Sequence, residues 1–192
     1  MEKKSLKIDV ALIHYPVINR TGNIIGSAVT NLDLHDIARA GLTYGIGTCW
    51  VVVPDRLQQD LAAKIVAHWT EGYGGTVNPD RRDALSLIRI RSTLDEVIDG
   101  LAEKWGEKPY ILATCARPGR KNMEFEAVRS MAEGNRRLLL LFGTAWGLAP
   151  EILERADGIL PPLRGAGEYN HLSVRSAAAI ILDRLLAHAA ER

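Results

Sequence analysis

The residues of this chain that could take part in chemistry lie in short loops rich in glycine, threonine and proline, not in a cluster of catalytic side chains. The five histidines are scattered, and the sequence has no HExxH pattern or carboxylate cluster that would favour a metal site. It also lacks the GxxxxGKS/T and GxGxxG patterns of phosphate-binding loops and the GxSxG elbow of hydrolases. The remaining loops offer backbone amides and a close approach to a ligand, so we expect a site without a metal that binds mainly through its backbone.

The elements that must position these loops alternate between short apolar runs and longer amphipathic segments. The patterns predict strands at residues 8–15, 48–53, 85–90, 110–114, 137–142 and 158–160, and helices at 34–44, 55–69, 93–105, 123–133, 150–155 and 173–190. Residues 19–26, 72–79 and 117–122 are predicted loops. We expect Asp33 to cap the first helix and Thr93 the third, with Glu96 completing a capping box. Near-continuous apolar strands that alternate with helices predict an α/β fold, with a mostly parallel sheet and helices on both faces.

Length and composition set further limits. The 192 residues suit one domain, and 47% of them are hydrophobic, which is typical of a globular protein. Lys and Arg number 24 against 23 Asp and Glu, so any contact with nucleic acid must come from a local patch of charge. Cys49 and Cys115 lie at the ends of apolar runs and form no CxxC pattern, which predicts buried, reduced thiols. We find neither a signal-peptide pattern nor an apolar stretch long enough to span a bilayer, so we expect a cytoplasmic protein without a membrane partner.

Four segments of the chain carry a resemblance to one family. They read DLHDIARAGLTYG at 33–45, LLLFGTAWGL at 139–148, GILP at 158–161 and NHLSVRSAAAIIL at 170–182. The three late segments resemble the C-terminal knot of the SPOUT methyltransferases, and the first resembles the opening motif of that family. The resemblance spans residues 31–186. The chain looks most similar to the small SPOUT domain that some bacteria carry beside, or fused to, their tRNA guanine-N1 methyltransferase.

The resemblance implies an RNA methyltransferase that uses S-adenosyl-L-methionine (SAM) to methylate a nucleotide of tRNA or rRNA. It implies a single SPOUT domain over residues 1–192, a deep trefoil knot between about 138 and 186, and a homodimer. SAM would lie bent against the loops after residue 114, at 143–147 and at 159–173. The cofactor-binding residues that the resemblance implies are Thr114, Phe142, Gly143, Thr144, Trp146, Gly147, Ile159, Leu160, Pro161, Leu172 and Ser173.

The acceptor side of the site is less well defined. The resemblance singles out Arg39 as a catalytic residue that would position an RNA phosphate or orient the nucleophile. Glu168, in the loop of the knot, is a candidate catalytic base by its position alone. For RNA binding we favour Arg117, Arg120 and Lys121, because this basic cluster follows a strand of the cofactor site. Two other basic pairs lie at residues 81–82 and 136–137.

The sequence departs from the ribose 2′-O-methylating branch of the family. Asp33 stands where the opening motif has Asn, Ser173 stands where the last motif has Asn, and the loop after Phe142 is shorter and lacks a Glu. The methylated atom therefore stays open. An alternative interpretation is a non-catalytic SAM- or RNA-binding SPOUT module. A third is an unknotted α/β ligand-binding or hydrolase domain of another family.

The last helix has an apolar, alanine-rich face that permits two interpretations. The face would serve the homodimer, because SPOUT sites are completed across a two-fold interface. The same side chains would otherwise pack on the chain's own sheet. The residues concerned are Ala177, Ala178, Ile181 and Leu185.

Overall fold

A computed structural model describes residues 7–117 and 122–187. Their strands are β1 (Ile8–Ile13), β2 (Val17–Ile18), β3 (Ile24–Ile25), β4 (Cys49–Val52), β5 (Ile88–Arg91), β6 (Tyr110–Thr114), β7 (Leu138–Gly143) and β8 (Gly158–Leu160). Their helices are α1 (Asn31–Tyr44), α2 (Arg56–Thr70), α3 (Tyr73–Val77), α4 (Pro79–Leu85), α5 (Leu94–Trp105), α6 (Phe125–Glu133), α7 (Pro150–Arg155) and α8 (Val174–Leu186).

Six strands form one parallel sheet in the order β5-β4-β1-β7-β6-β8, and β2 and β3 form a separate antiparallel pair. Alternate residues of β1 enter two different cores: Val10 and Leu12 face one side of the sheet, and Ala11 and Ile13 the other. Helices α1, α4, α6 and α8 contribute to the first core, and α5 and α7 to the second. This arrangement confirms the predicted α/β fold, because a strand covered on both faces must be apolar throughout.

Helix α1 begins three residues earlier than the apolar pattern predicts. The hydroxyl of Thr30 caps it by accepting a hydrogen bond from the amide of Asp33, so the prediction that Asp33 is the cap was wrong. The carboxylate of Asp33 instead accepts a bond from the Thr30 hydroxyl, at 2.7 Å. The helix ends, as predicted, at Gly45, whose φ of 76° is left-handed.

The prediction for α5 was better, since Thr93 caps it and Glu96 accepts the amide of Ser92.

The predicted loop at 72–79 was wrong, because this segment contains α3 and the start of α4. The side chain of Asn78 caps α4 and Pro79 occupies its first position, so a polar, glycine-rich composition here specifies helix ends and not an open loop. The predicted loop at 19–26 likewise contains β3. Of the predicted loop at 117–122, residues 118–121 lie outside the described residues, as does the end of the predicted last helix beyond residue 187.

The described residues contain no helix that is both long and apolar enough to cross a membrane. Within the same ranges, no group of His, Cys, Asp and Glu is arranged to hold a metal ion. Cys49 is buried in the first core, and burial raises the pKa of its thiol to about 12. Cys115 is half-buried, so only the first of the two thiols is enclosed as predicted.

Candidate functional site

Three neighbouring strands of the sheet end together at one edge. Thr114 at the end of β6 lies opposite Leu160 of β8, and Gly143 at the end of β7 lies opposite Ile13 of β1. The hydroxyl of Thr114 donates to the carbonyl of Leu141, at 2.9 Å, and so links β6 to β7. Because ligands of open parallel sheets bind outside the carboxyl ends of the strands, the loops after β6, β7 and β8 form the candidate site.

The loop after β7 requires close backbone packing at its first residue. A Cβ on Gly143 would lie 2.5 Å from the amide nitrogen of Leu148 and 2.8 Å from the carbonyl carbon of Gly147. Gly147 itself has a φ of 112°, which an L side chain rarely adopts. The amide of Trp146 donates to the carbonyl of Ile18, and the amide of Ile18 donates to the carbonyl of Gly147, both at 3.0 Å. The loop is therefore compact and tied to β2.

The side chains of this loop differ in exposure. Phe142 is buried in the first core, where it can act only as packing. Trp146 is 56% exposed at the carboxyl edge, so its ring is free to form one wall of a ligand site. Thr144 is buried, and its contacts are with protein groups.

Thr144 belongs to a chain of three polar side chains that the sequence analysis missed. Its hydroxyl donates to the carbonyl of Ile13, at 3.0 Å, and contacts the Ser27 hydroxyl, which lies 3.0 Å from Nδ1 of His14. One assignment satisfies all of these contacts: the Ser27 hydroxyl donates a hydrogen bond to Thr144 and accepts one from the Nδ1–H group of His14. The imidazole is then the Nδ1–H tautomer, with a lone pair on Nε2. These hydrogen bonds fix the first turn of the loop after β7 to the end of β1.

His14 is fully buried and has no hydrogen-bond partner at Nε2 among the described residues. Burial lowers the pKa of His14 to about 4, and the nearby carboxylate of Asp33 offsets only part of that effect. The imidazole is therefore neutral at physiological pH. The sequence offered one signal, a histidine that closes an apolar strand, but nothing in it identified the two hydroxyls as partners.

The loop after β8 presents backbone more than side chains. Ile159 and Leu160 are buried, and the carbonyl of Ile159 already accepts the amide of Met123 at 2.9 Å. The side chain of Asn170 donates to the carbonyl of Ala116, at 3.0 Å, and so closes this loop over the loop after β6. A cavity of about 260 Å³ lies along the same stretch, lined by Arg164, Gly165, Gly167, Glu168 and Asn170.

The end of the loop after β8 leads into α8. Pro161 is half-buried and Leu172 is 48% exposed. Ser173 caps α8 by accepting the amide of Ser176. In the first turn of α8, Arg175 forms ion pairs with Asp33 at 3.2 Å and Asp36 at 3.4 Å, which join the opening motif to the cofactor loop.

The two candidate catalytic residues are exposed and are not brought together by a contact. Glu168 lines the cavity described above. Arg39 lies on the surface of α1, and among the described residues no hydrogen bond or ion pair joins its side chain to the three loops. Arg117 is exposed just after β6, whereas Arg120 and Lys121 lie outside the described residues.

The alanine-rich face of α8 has a partner within the chain. Ala178, Ile181 and Leu185 are buried in the first core, so the interpretation that they pack on the chain's own sheet is confirmed and their proposed use as a dimer surface was wrong. The helix period places these residues on one stripe, and the sheet lies beneath that stripe. Ile180, on another side of the helix, is 36% exposed.

The arrangement fits a cofactor that is bound through backbone groups. Two glycines allow a compact turn at the centre of the edge, the flanking loop closes over its neighbour through Asn170, and an exposed Trp146 stands beside them. A site built mainly from backbone groups suits a cofactor that carries its own reactive group.

Comparisons with known proteins agree with this geometry. The family model described as SAM-dependent RNA methyltransferase matches residues 7–187. A tRNA (guanine-N(1)-)-methyltransferase of Oleidesulfovibrio alaskensis is 46% identical over 188 residues, which cover 98% of this chain and 44% of the relative. One from Nitratidesulfovibrio vulgaris is 47% identical over 92% of this chain and 41% of its own length. The chain thus spans less than half the length of these two relatives. An uncharacterized protein of Aquifex aeolicus is 38% identical over 92% of this chain and 86% of its own.

Solved structures support the fold. A probable methylase family protein from Haemophilus influenzae has a TM-score of 0.62 at 18% identity, covering 94% of this chain and 65% of that one. A TrmH/SpoU tRNA modifying enzyme of A. aeolicus has a TM-score of 0.59 at 16% identity, covering 96% and 76%. These likenesses confirm the predicted α/β fold with a mostly parallel sheet. Because the family model matches residues 7–187, nearly all of this chain, the chain belongs to the family of SAM-dependent RNA methyltransferases.

Proposed function

We propose that this chain transfers a methyl group from SAM to a nucleotide of tRNA, with rRNA as the second substrate class. The observation that carries the proposal is that β6, β7 and β8 end at one edge of the sheet in a chain of this family, so that the loops after them start together. The printed names of two relatives favour tRNA over rRNA. This chain spans less than half the length of those relatives, so the proposal does not specify the target nucleotide.

The proposed cofactor site uses mostly backbone. When bound, SAM supplies an electrophilic methyl group on a sulfonium centre, and the protein has to orient it and exclude water. Gly143 and Gly147 allow the close approach, and the Trp146 ring would wall one side of the ligand. Backbone groups of the remaining loops would complete the site, at Thr114, Phe142, Thr144, Ile159, Leu160, Pro161, Leu172 and Ser173.

We assign the acceptor side to Arg39 and Glu168. Arg39 is exposed on α1, free to hold an RNA phosphate or to orient the nucleophile through its guanidinium fork. Glu168 lines the cavity in the loop after β8, where a carboxylate would accept the proton that the nucleophile releases. For RNA we retain Arg117, Arg120 and Lys121, since the first of them lies at the same edge of the sheet.

We further propose a single domain with a C-terminal trefoil knot, a homodimer and a cytoplasmic location. The sheet order β7-β6-β8, followed by a helix that returns to pack on α1, is consistent with the knot. A second copy would bring Arg39 of one protomer to the cofactor loops of its partner, which would explain why no contact joins them within one chain. Sedimentation equilibrium tests the dimer: a mass near twice 21.1 kDa supports it, and a monomer at micromolar concentration rejects it.

One experiment tests the function directly. Calorimetric titration with SAM and with S-adenosylhomocysteine should give saturable micromolar binding near one ligand per chain. Transfer of labelled methyl groups from SAM to mixed bacterial tRNA should then be seen for the wild-type protein. An Arg39→Ala variant should bind SAM normally and lose most of the transfer, whereas Arg56→Ala, a control at an exposed arginine of α2, should keep it. Full activity of the Arg39→Ala protein would remove the role given to Arg39.

A non-catalytic SAM- or RNA-binding module is the second candidate. The observation in its favour is that Asp33, at the position of the family's Asn, is engaged by Thr30 and Arg175 and is only 8% exposed. Binding of SAM without methyl transfer to tRNA or rRNA would select this function.

A further inference from the structure

A cluster of aromatic and basic side chains surrounds Trp69 on the face of the molecule formed by α1, α2 and α4. The guanidinium carbon of Arg81 lies 4.5 Å from the centre of the Trp69 ring. The rings of His35 and His68 approach the same indole edge-on, at 5.5 Å and 4.9 Å between centroids. Three helices thus contribute to one half-buried group of planar side chains.

Glycines make this cluster possible. A Cβ on Gly74 would lie 2.8 Å from Nε2 of His68 and 2.9 Å from the Trp69 ring, and one on Gly75 would overlap the Trp69 carbonyl oxygen. Only residues without a side chain therefore allow α3 to turn so closely over the end of α2. That turn brings α4 back against α2, and the side chain of Asn78 caps α4 by accepting the amide of Arg81, at 2.9 Å.

The charge of Arg81 is not neutralised by a neighbour. Among residues 7–117 and 122–187, no carboxylate lies within ion-pairing distance of its guanidinium, and its buried Nε has no hydrogen-bond partner. The adjacent Arg82, in contrast, is paired with Asp83 at 3.0 Å. A guanidinium that lies over an indole ring is restrained by that contact, so it loses less conformational freedom when it binds an anion.

The cluster is continuous with the acceptor side of the proposed site. His35 and Arg39 are one turn apart on α1 and share a face of that helix. Burial lowers the pKa of His35, and the positive charges of Arg81 and Arg39 lower it further, against the opposing effect of Asp36. Both arginines therefore act on one imidazole.

We propose that Arg81, held over the Trp69 ring in the cluster that includes His35, is a contact site for the phosphate backbone of the RNA substrate. An arginine fork matches the geometry of a phosphate, and within the described part of the chain Arg81 has no carboxylate partner that would compete with one. The proposal rests on the proposed function, since it assigns part of the substrate surface of the same enzyme. It adds an RNA contact on the face of α1 and α4 to the one proposed for the loop after β6.

The test measures the salt dependence of RNA binding. Fluorescence anisotropy of end-labelled mixed bacterial tRNA is recorded from about 50 to about 300 mM KCl for the wild-type protein and the variants Arg81→Gln, Arg81→Lys and Arg82→Gln. Loss of one phosphate contact should raise the Kd of Arg81→Gln and reduce the slope of log Kd against log salt by about 0.7 to 0.9. Arg81→Lys should keep the slope, because the charge remains. Arg82→Gln is the matched control and should keep the wild-type slope, because Asp83 already neutralises its arginine.

The outcomes separate this inference from the function on which it rests. A wild-type slope for Arg81→Gln, or an equal loss for Arg82→Gln, overturns the proposed phosphate site. Calorimetry with SAM on each variant shows whether the cofactor site is intact, and it should be unchanged in all three. A wild-type protein that binds SAM but no tRNA at about 50 mM KCl removes the proposed RNA substrate as well.

Discussion

Replacing Thr144 with valine removes one hydroxyl from the buried chain that joins His14, Ser27 and the loop after β7, and changes the volume of the side chain very little. The carbonyl of Ile13 keeps the amide of Thr144, at 3.3 Å, but loses the hydroxyl bond at 3.0 Å. Ser27 loses its acceptor, and the nearest alternative, the carbonyl of His14, lies 3.5 Å away. Removing one partner from a buried polar group lowers the free energy of unfolding by about 1 to 3 kcal/mol. Because two of the contacts are retained, we expect a loss in the lower half of that range, about 1 to 2 kcal/mol.

For a chain of this length that loss lowers the melting temperature by about 3 to 6 °C. The assay is thermal unfolding followed by circular dichroism, with SAM affinity measured by calorimetry on the same samples. SAM binding should weaken, because the loop after β7 loses one of its two hydrogen bonds to the carbonyl of Ile13 and its contact with Ser27. Thr43→Val is the control: its exposed hydroxyl donates only to the carbonyl of Arg39 in the same helix, so we expect a change within about 0.5 kcal/mol. If Thr144→Val melts with the wild-type protein, the hydroxyl chain does not stabilise the loop.

Two further predictions concern the same edge of the sheet. The folded-state pKa of His14 is lowered to about 4 from an ordinary value of 6.5, so the unfolded chain binds the proton first as the pH falls. His14 therefore reduces the free energy of unfolding as the pH drops from 6.5 to 4, by up to about 3 kcal/mol. Urea unfolding at several pH values should show a flatter profile for His14→Asn; Asp9, whose pKa is raised by burial, acts with the opposite sign in both proteins. If the pH dependence of His14→Asn equals that of the wild-type protein, the His14 imidazole is not held in a neutral, buried state. Gly143→Ala places a Cβ 2.5 Å from the amide nitrogen of Leu148, and we expect SAM affinity to fall at least tenfold, equivalent to about 1.4 kcal/mol. Normal affinity would show that the loop has room to relax.

The parts of the fold that the sequence predicted well are those in which local pattern and burial agree. The bounds of β6, α7 and β8 match the prediction, because each is a short apolar or amphipathic run closed by proline, glycine or a polar turn. The start of α1 was missed because Asn31 is polar and Leu32 is exposed, so neither belongs to the buried stripe that begins at Leu34, although Thr30 supplies a good cap. Helix ends are set by such single hydrogen bonds, which periodicity does not detect.

The candidate site was predicted in outline but not in its contacts. Loop positions followed from where the strands end, since parallel strands bring their carboxyl ends to one edge. The hydroxyl chain was not accessible to the same reasoning, because Thr144 lies 117 residues from Ser27 and 131 from Ile13 along the chain. The pairing of Arg175 with Asp33 spans 142 residues. Contacts of this separation depend on the packing of whole elements, and no spacing rule within one element predicts them.

Helix α1 connects the two surfaces on which methyl transfer to RNA would depend. Its first turn is joined by Asp33 to Arg175, directly after the cofactor loop. Arg39 lies about 9 Å further along the helix axis, given a rise of about 1.5 Å per residue. It is one turn from His35, whose pKa is lowered by both Arg39 and Arg81. Helix α1 therefore joins the cofactor loop and the basic cluster of one protomer, and in the proposed homodimer Arg39 would face the cofactor loops of the partner. The two surfaces remain separable in experiment, because Arg81 touches only the second, whereas Thr144 acts only on the first.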